Sequence, residues 1–238
     1  MLSVVLPCYN EKDNLKALFS RLDMLSELGN NLEIILVNNG STDGSEKIFE
    51  QELLHRDNSV FRVVTVEKNI GYGYGILTGL RAANGDVLAV THADRQTDPL
   101  DVLKALDIYN YAADSSILVK GFRKNRKISE AVFSYGMGVL ASLVLGTRLT
   151  EINAQPKLFS KQFFDRFEKQ APHDFSLDLY FLYQARKHGH IKDFPVYFAK
   201  RVAGEAKGGS GSSFKTKWKL IKRSFTYIFE LRKQVKNH

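Results

Sequence analysis

Leu2–Leu6, Leu32–Val37, Val60–Val66 and Val87–Val90 are short apolar runs, each closed by polar or glycine-rich residues. Runs of this length between turn signals read as strands buried on both faces. Segments with helical spacing separate them. The first, residues 11–28, carries Leu15, Leu18, Phe19, Leu22 and Leu25 on one side, with Asn10 placed to cap it. The second spans 45–54, and the third follows a glycine-rich turn and ends at Ala83. Parallel strands need a crossover, so this alternation dictates a Rossmann-like α/β fold with helices on both faces of a mostly parallel sheet. Ligands of such sheets gather beyond the carboxyl ends of the strands. Tyr9–Glu11, Asn38–Asp43 and Thr91–Gln96 should therefore share one rim.

The second half is less regular. Helices are expected over 99–113 and 178–187, and strands at Ser116–Val119, Leu158–Phe159 and Pro195–Phe198. Ala131–Thr147 has no charged residue, and at seventeen residues it is at the short limit for crossing a bilayer. With three glycines and two serines inside it, it reads as an interfacial or buried helix. A Gly/Ser link at 208–213 separates an expected catalytic domain, 1–207, from an amphipathic helix over 214–235.

With 238 residues, 44% of them apolar, the chain can bury a real core. One cysteine, Cys8, excludes a disulfide framework and a cysteine-rich zinc site. The opening MLSVVLPCYN lacks the basic and long apolar regions of a signal peptide, so a cytoplasmic setting is expected. The net charge of +8 is concentrated at one end: residues 200–238 hold eleven Lys/Arg against two Asp/Glu. In the final helix, Phe214, Trp218, Ile221, Phe225, Ile228 and Phe229 lie among Lys215, Lys217, Lys219, Lys222 and Arg223. That pattern suits a peripheral site on an anionic membrane. The alternative is that the apolar face packs on the chain's own domain or on a sister subunit in a homo-oligomer. No nucleic-acid-binding module is recognisable, and nucleic acid is not an expected partner.

Three motifs stand at the strand ends: VVLPCYNE (4–11), VNNGSTDGS (37–45) and GYGYGILTGLRAANGDVLAVTHADRQ (71–96). Together they resemble the family 2 inverting glycosyltransferases, and most closely the polyprenyl-phosphate branch that includes the dolichyl-phosphate mannose and glucose synthases. The resemblance covers roughly residues 2–207. It implies the GT-A fold and transfer of a hexose from a nucleoside-diphosphate sugar, UDP or GDP, to a polyprenyl phosphate or lipid-linked glycan. It also implies a divalent cation, Mn²⁺ or Mg²⁺, at an Asp-x-Asp-x-Gln site. The matching residues here are His92, Asp94 and Gln96, with histidine in place of the first acid. Imidazole favours Mn²⁺ over Mg²⁺. Alternatively, His92 and Asp94 merely cap a strand and a turn.

By the same resemblance Pro7, Tyr9, Asn10 and Glu11 line the nucleotide pocket with Ala93, and the second motif reads the base. Asn38-Asn39 replaces the usual acidic pair, exchanging acceptors for amides that also donate. Asp43 reads as a cap. Gly71 and Gly75 either touch the diphosphate or let a helix approach the sheet. With Ile76 where a dinucleotide fingerprint needs glycine, and no G-x-x-x-x-G-K-[ST], neither an NAD domain nor a P-loop is indicated. The missing lysine-bearing glycine loop also argues against a nucleotidyltransferase. Asp178, before Gly189, matches the family's general base, with His173 and Asp174 as fallbacks. It equally suits a helix cap. A hydroxyl acceptor needs such a base, whereas a lipid phosphate is already an anion. Arg123, within the basic run Lys120–Arg126, is the candidate contact for an acceptor phosphate. EINAQPKLF (151–159) only partly matches the branch's Asp-x-x-Ser-Gly-Phe motif. A non-catalytic sugar-nucleotide-binding protein is the reading outside enzymes.

Overall fold

The computed structural model describes residues 1–126, 128–201 and 214–236. The Gly/Ser link at 208–213 and most of the junction between the two expected domains lie outside them. In chain order the strands are β1 (Leu2–Cys8), β2 (Leu32–Asn39), β3 (Phe61–Val66), β4 (Val87–Val90), β5 (Ile117–Lys124), β6 (Lys157–Ser160) and β7 (His190–Tyr197). The helices are α1 (Lys12–Leu28), α2 (Ser45–Leu53), α3 (Tyr72–Ala82), α4 (Asp101–Ala112), α5 (Ile128–Leu145), α6 (Lys161–Phe167), α7 (Leu177–His188) and α8 (Phe214–Lys236). The expected strand-helix order is observed. Expected β5 and β7 were too short, and α6 was not foreseen.

Seven strands form one sheet in the order β3-β2-β1-β4-β6-β5-β7. β1, β2, β3 and β4 run parallel, and β6 is antiparallel to both β4 and β5. β5 pairs with β7 in parallel. Because β6 runs backwards, its first residue, Lys157, pairs with Val90 at the end of β4 and with Lys120 in β5. The ends of β1, β2, β4 and β5 and the beginning of β6 therefore meet at one margin.

Strand side chains alternate between two cores. Val4, Leu6, Ile34 and Leu36 pack with α1, α2 and α4. Val5, Ile35 and Val37 face α3, α5, α6, α7 and α8. The glycines of α3 serve close approach: a Cβ on Gly75 would stand 2.7 Å from the Asn39 side chain, and one on Gly79 would stand 2.7 Å from Val37. Gly73 faces backbone instead, because a Cβ there would lie 2.6 Å from the backbone oxygens of both Pro172 and Asp174. Backbone cannot yield as a rotamer can. We therefore expect Gly73→Ala to lower unfolding stability by about 1–3 kcal/mol, measured by urea denaturation.

Candidate active site

Sheet order reverses direction between β1 and β4, which opens the crevice where α/β folds take ligands. Glu11, just past β1, and Asp94, just past β4, flank it. Both converge on one cation. The Arg201 guanidinium donates to Glu11 Oε1 at 2.7 Å and lies 3.4 Å from Asp94 Oδ2. All three side chains are largely buried. Burial raises the Glu11 carboxyl above its ordinary range; Asn14 and Arg201 oppose the shift and Asp94 adds to it. Arg201 is held in reach by a strap, since Ala199 N donates to Gln96 O at 2.8 Å and Gln96 Nε2 donates to Ala199 O at 3.3 Å. Asp94 Oδ1 accepts from the Gln96 backbone at 3.1 Å, a turn-capping bond that leaves Oδ2 toward Arg201.

His92 lies beneath this pair, with Nε2 3.1 Å from the Tyr72 hydroxyl. Tyr72 stacks on Phe175 with ring centroids 4.8 Å apart. Burial lowers the His92 pKa, outweighing Asp94 and Asp178, so the ring is neutral at pH 7. One of the two ring nitrogens, Nε2, is thus engaged by Tyr72. Ala93 is buried between His92 and Asp94.

The second strand end is a hydrogen-bonded turn. Asn38 Oδ1 accepts from Ser41 N at 3.2 Å, and Asn39 Nδ2 donates to Gly71 O at 3.1 Å. Gly71 has φ +151°, a conformation that L side chains rarely adopt. Asn10 does not cap α1: its Oδ1 accepts from Thr42 N at 2.8 Å and its N–H donates to Ser41 Oγ at 3.1 Å, because φ of +55° turns it toward the second loop. Asp43 performs the capping, accepting from Ser45 N at 2.9 Å and from Lys12 N at 3.0 Å. Burial pushes its pKa up, but these bonds win and hold it low. Pro7 and Tyr9 lie along the same margin.

Beyond β4 lies an ionic cluster. The Asp178 carboxylate is bound by Lys157 Nζ at 2.6 Å and Gln155 Nε2 at 3.2 Å, with both charged side chains almost wholly buried. It neither caps α7 nor faces solvent. The fallback Asp174 accepts from Arg223 at 2.5 Å, tying α8 to the loop before α7, and His173 contributes its carbonyl to Tyr74 N at 2.9 Å. Arg123 Nε and Arg126 Nη1 grip the two oxygens of Glu151 at 2.6 and 2.9 Å, again mostly buried. Arg126 also donates to Ser134 Oγ at 2.7 Å. Gln155 Nε2, which donates to Asp178, also reaches the Tyr72 hydroxyl at 3.5 Å, so the Lys157–Asp178 pair adjoins the crevice. Sequence reading missed Arg201, Tyr72, Lys157 and Glu151 as site residues, since their partners are distant in the chain.

Residues 3–171 match the sequence model described as Glycosyl transferase family 2. The chain belongs to that family. It is 30% identical over 167 residues to an uncharacterized glycosyltransferase of Synechocystis, spanning 69% of this chain and 50% of that one. It is 35% identical over 101 residues to the undecaprenyl-phosphate 4-deoxy-4-formamido-L-arabinose transferase of Proteus mirabilis, covering 42% and 31%. The chain thus spans half or less of the length of these curated relatives. Among solved structures, glucosyl-3-phosphoglycerate synthase of Mycobacterium tuberculosis with Mn²⁺ and UDP superimposes with TM-score 0.61 at 21% identity, over 86% of this chain and 72% of that one. A mannosyltransferase of Pyrobaculum calidifontis with GDP-Man and Mn²⁺ gives 0.61 at 19%, over 85% and 57%. The fold is GT-A, as the motifs implied.

Two outcomes follow from the buried charges. Lys157→Met leaves Asp178 buried without its cation and should cost about 3–5 kcal/mol, while Lys157→Met/Asp178→Leu should recover most of that in a double-mutant cycle. His92 has a folded pKa below its ordinary 6.5, so the unfolded chain takes up a proton that the folded chain refuses. Its contribution to stability is therefore complete above about pH 6.5 and lost as pH falls below it; denaturation midpoints should drop more steeply for the parent than for His92→Asn.

Proposed function

We propose that this chain is an inverting glycosyltransferase that moves a hexose from a UDP- or GDP-sugar to a polyprenyl phosphate. One observation carries the choice of acceptor. The carboxylate that best matches a family base, Asp178, is locked in a buried ion pair with Lys157, while two buried guanidiniums, Arg123 and Arg126, converge on a single anionic group. A hydroxyl acceptor needs a free base to take its proton. A phosphate monoester brings its own negative oxygen and needs cationic partners instead. The relatives named for transfer to undecaprenyl phosphate support the same acceptor class. The fold neighbours with UDP or GDP-Man and Mn²⁺ support the donor class.

In this reading Tyr9, Glu11, Asn38 and Asn39 receive the nucleoside, with Pro7, Asn10 and Ala93 lining its pocket. Gly71 and Gly75 open α3 against the diphosphate. Glu11 and Asp94 converge on the Arg201 guanidinium, and a divalent cation would take that guanidinium's place between the two carboxylates. Asp94 would hold Mn²⁺ or Mg²⁺ with Gln96 alongside; such sites use one or two carboxylates plus substrate phosphates. When bound, the cation neutralises the leaving diphosphate as a Lewis acid. His92, neutral and engaged by Tyr72, shapes the floor of that site. Arg123 and Arg126 orient the acceptor phosphate. One of its oxygens forms the bond to the anomeric carbon on the face opposite the diphosphate. The carbon–oxygen bond to the diphosphate breaks, its electron pair leaves with that group, and no proton moves. The basic C-terminal helix would keep the enzyme peripheral at the cytoplasmic face of the membrane.

The test is transfer from UDP- and GDP-hexoses to undecaprenyl phosphate with Mn²⁺, with variants confirmed to be folded. The product should be a sugar-phosphate lipid of inverted anomeric configuration. Asp178→Asn should retain activity within about tenfold, and Arg123→Ala/Arg126→Ala should lose about 100-fold in kcat/KM for the lipid. Transfer only to sugar hydroxyls, abolished by Asp178→Asn, would refute the proposal.

A further inference from the structure

Helix α5 carries a stripe that the core does not use. Ile128, Val132, Tyr135, Val139 and Leu143 are 82%, 63%, 72%, 40% and 76% exposed. Steps of four, three, four and four residues put them on one side of the helix, in a line about 22 Å long. The opposite side is already satisfied: Ala141 is buried in the core, and Met137 and Leu140 pack against it. An outward helix face is ordinarily charged. Here residues 131–147 contain no Asp, Glu, Lys or Arg. Among the described residues no helix is long and apolar enough to cross a membrane.

Helix α8 lies against α5 on the same side of the sheet. It buries Tyr227, Ile228 and Leu231 in the shared core. Its Trp218, Phe225 and Phe229 remain 60%, 40% and 47% exposed. Lys222, Arg232 and Lys233 are exposed among them. Aromatic and basic side chains interleaved on one helix face match the headgroup region of an anionic leaflet, where rings sit between oil and water and cations meet lipid phosphates.

We infer that the outer stripe of α5 and the exposed aromatics of α8 form one surface that beds into an anionic lipid leaflet, with α5 forming the seat for the hydrocarbon chain of the acceptor. Two observations select lipid over a second copy of the chain. Charge complementarity is one: Lys222, Arg232 and Lys233 are exposed among the aromatics of α8, cations that two identical surfaces would bring into repulsion. Continuity is the other. The stripe begins at Ile128, two residues after Arg126, whose guanidinium shares Glu151 with Arg123. A phosphate held by those arginines would leave its apolar tail at the start of an apolar track. The seat for the tail rests on the proposed lipid-phosphate acceptor; the membrane surface does not.

The sole tryptophan, Trp218, is a built-in reporter. Full-length protein is mixed with phosphatidylethanolamine/phosphatidylglycerol vesicles and with phosphatidylcholine vesicles, followed by co-sedimentation and Trp218 emission. The parent should bind the anionic vesicles with a blue shift. Tyr135→Glu/Leu143→Glu, confirmed by circular dichroism to be folded, should bind at least about tenfold more weakly. It should also raise KM for undecaprenyl phosphate presented in vesicles by a larger factor than KM for a short, soluble prenyl phosphate. Vesicle binding unaffected by the double variant would overturn the surface, as would equal binding to phosphatidylcholine. A parent dimer that the variant dissociates, without vesicle binding, would assign the stripe to a second copy and also overturn it. If no prenyl phosphate of either length accepts sugar yet vesicle binding depends on the stripe, the acceptor reading fails and the membrane surface stands.

Discussion

A single guanidinium holds the crevice together. Glu11 and Asp94 are carried on loops that follow different strands, and without a cation between them two largely buried carboxylates would repel across the point where the sheet order reverses. Removing charges from water costs several kcal/mol per ion unless a partner is close. Arg201 supplies that partner from the far end of the fold, and the Gln96–Ala199 strap keeps it there. The arrangement ties the loop after β1, the loop after β4 and the segment after β7 into one cluster of charges.

Next to that cluster the charges are arranged differently. Lys157 and Asp178 neutralise each other inside the protein, whereas Glu151 faces both Arg123 and Arg126 and leaves a positive excess. The neutral His92 separates the two zones, its ring fixed by Tyr72, which Phe175 supports by stacking. An acidic group of side chains thus stands beside a basic one, the charge division on which the proposed transfer between two phosphate-bearing partners relies.

The first four strands and their loops were legible because each reports itself locally, through an apolar run and a polar close. The rim was legible for the same reason. The second half was harder to read. β6 has four residues and runs against its neighbours, so it leaves little periodic trace. The partners of Asp178 and Asn10 were not legible because those partners, Lys157 and Thr42, lie 21 and 32 residues away. Arg201 lies beyond the recognised motifs and is joined to Glu11 across 190 residues. Helix α5 was ambiguous in sequence because a segment without charges has no polar face to mark the outside; burial resolves it into a packed side and an exposed one. The expectation that α8 either packs on its own domain or faces a membrane divides the same way, with Tyr227, Ile228 and Leu231 turned inward and Trp218, Phe225 and Phe229 outward.

The proposed chemistry requires the carboxylate-lined crevice to accept a cation together with a diphosphate. Calorimetric titration of UDP and GDP into the protein, with and without Mn²⁺, tests this most directly. Binding of at least one nucleotide should strengthen about tenfold or more with Mn²⁺, and Asp94→Asn should abolish that gain while leaving the metal-free affinity close to the parent's. Nucleotide binding that ignores both Mn²⁺ and Asp94, or no binding of either nucleotide, would contradict it.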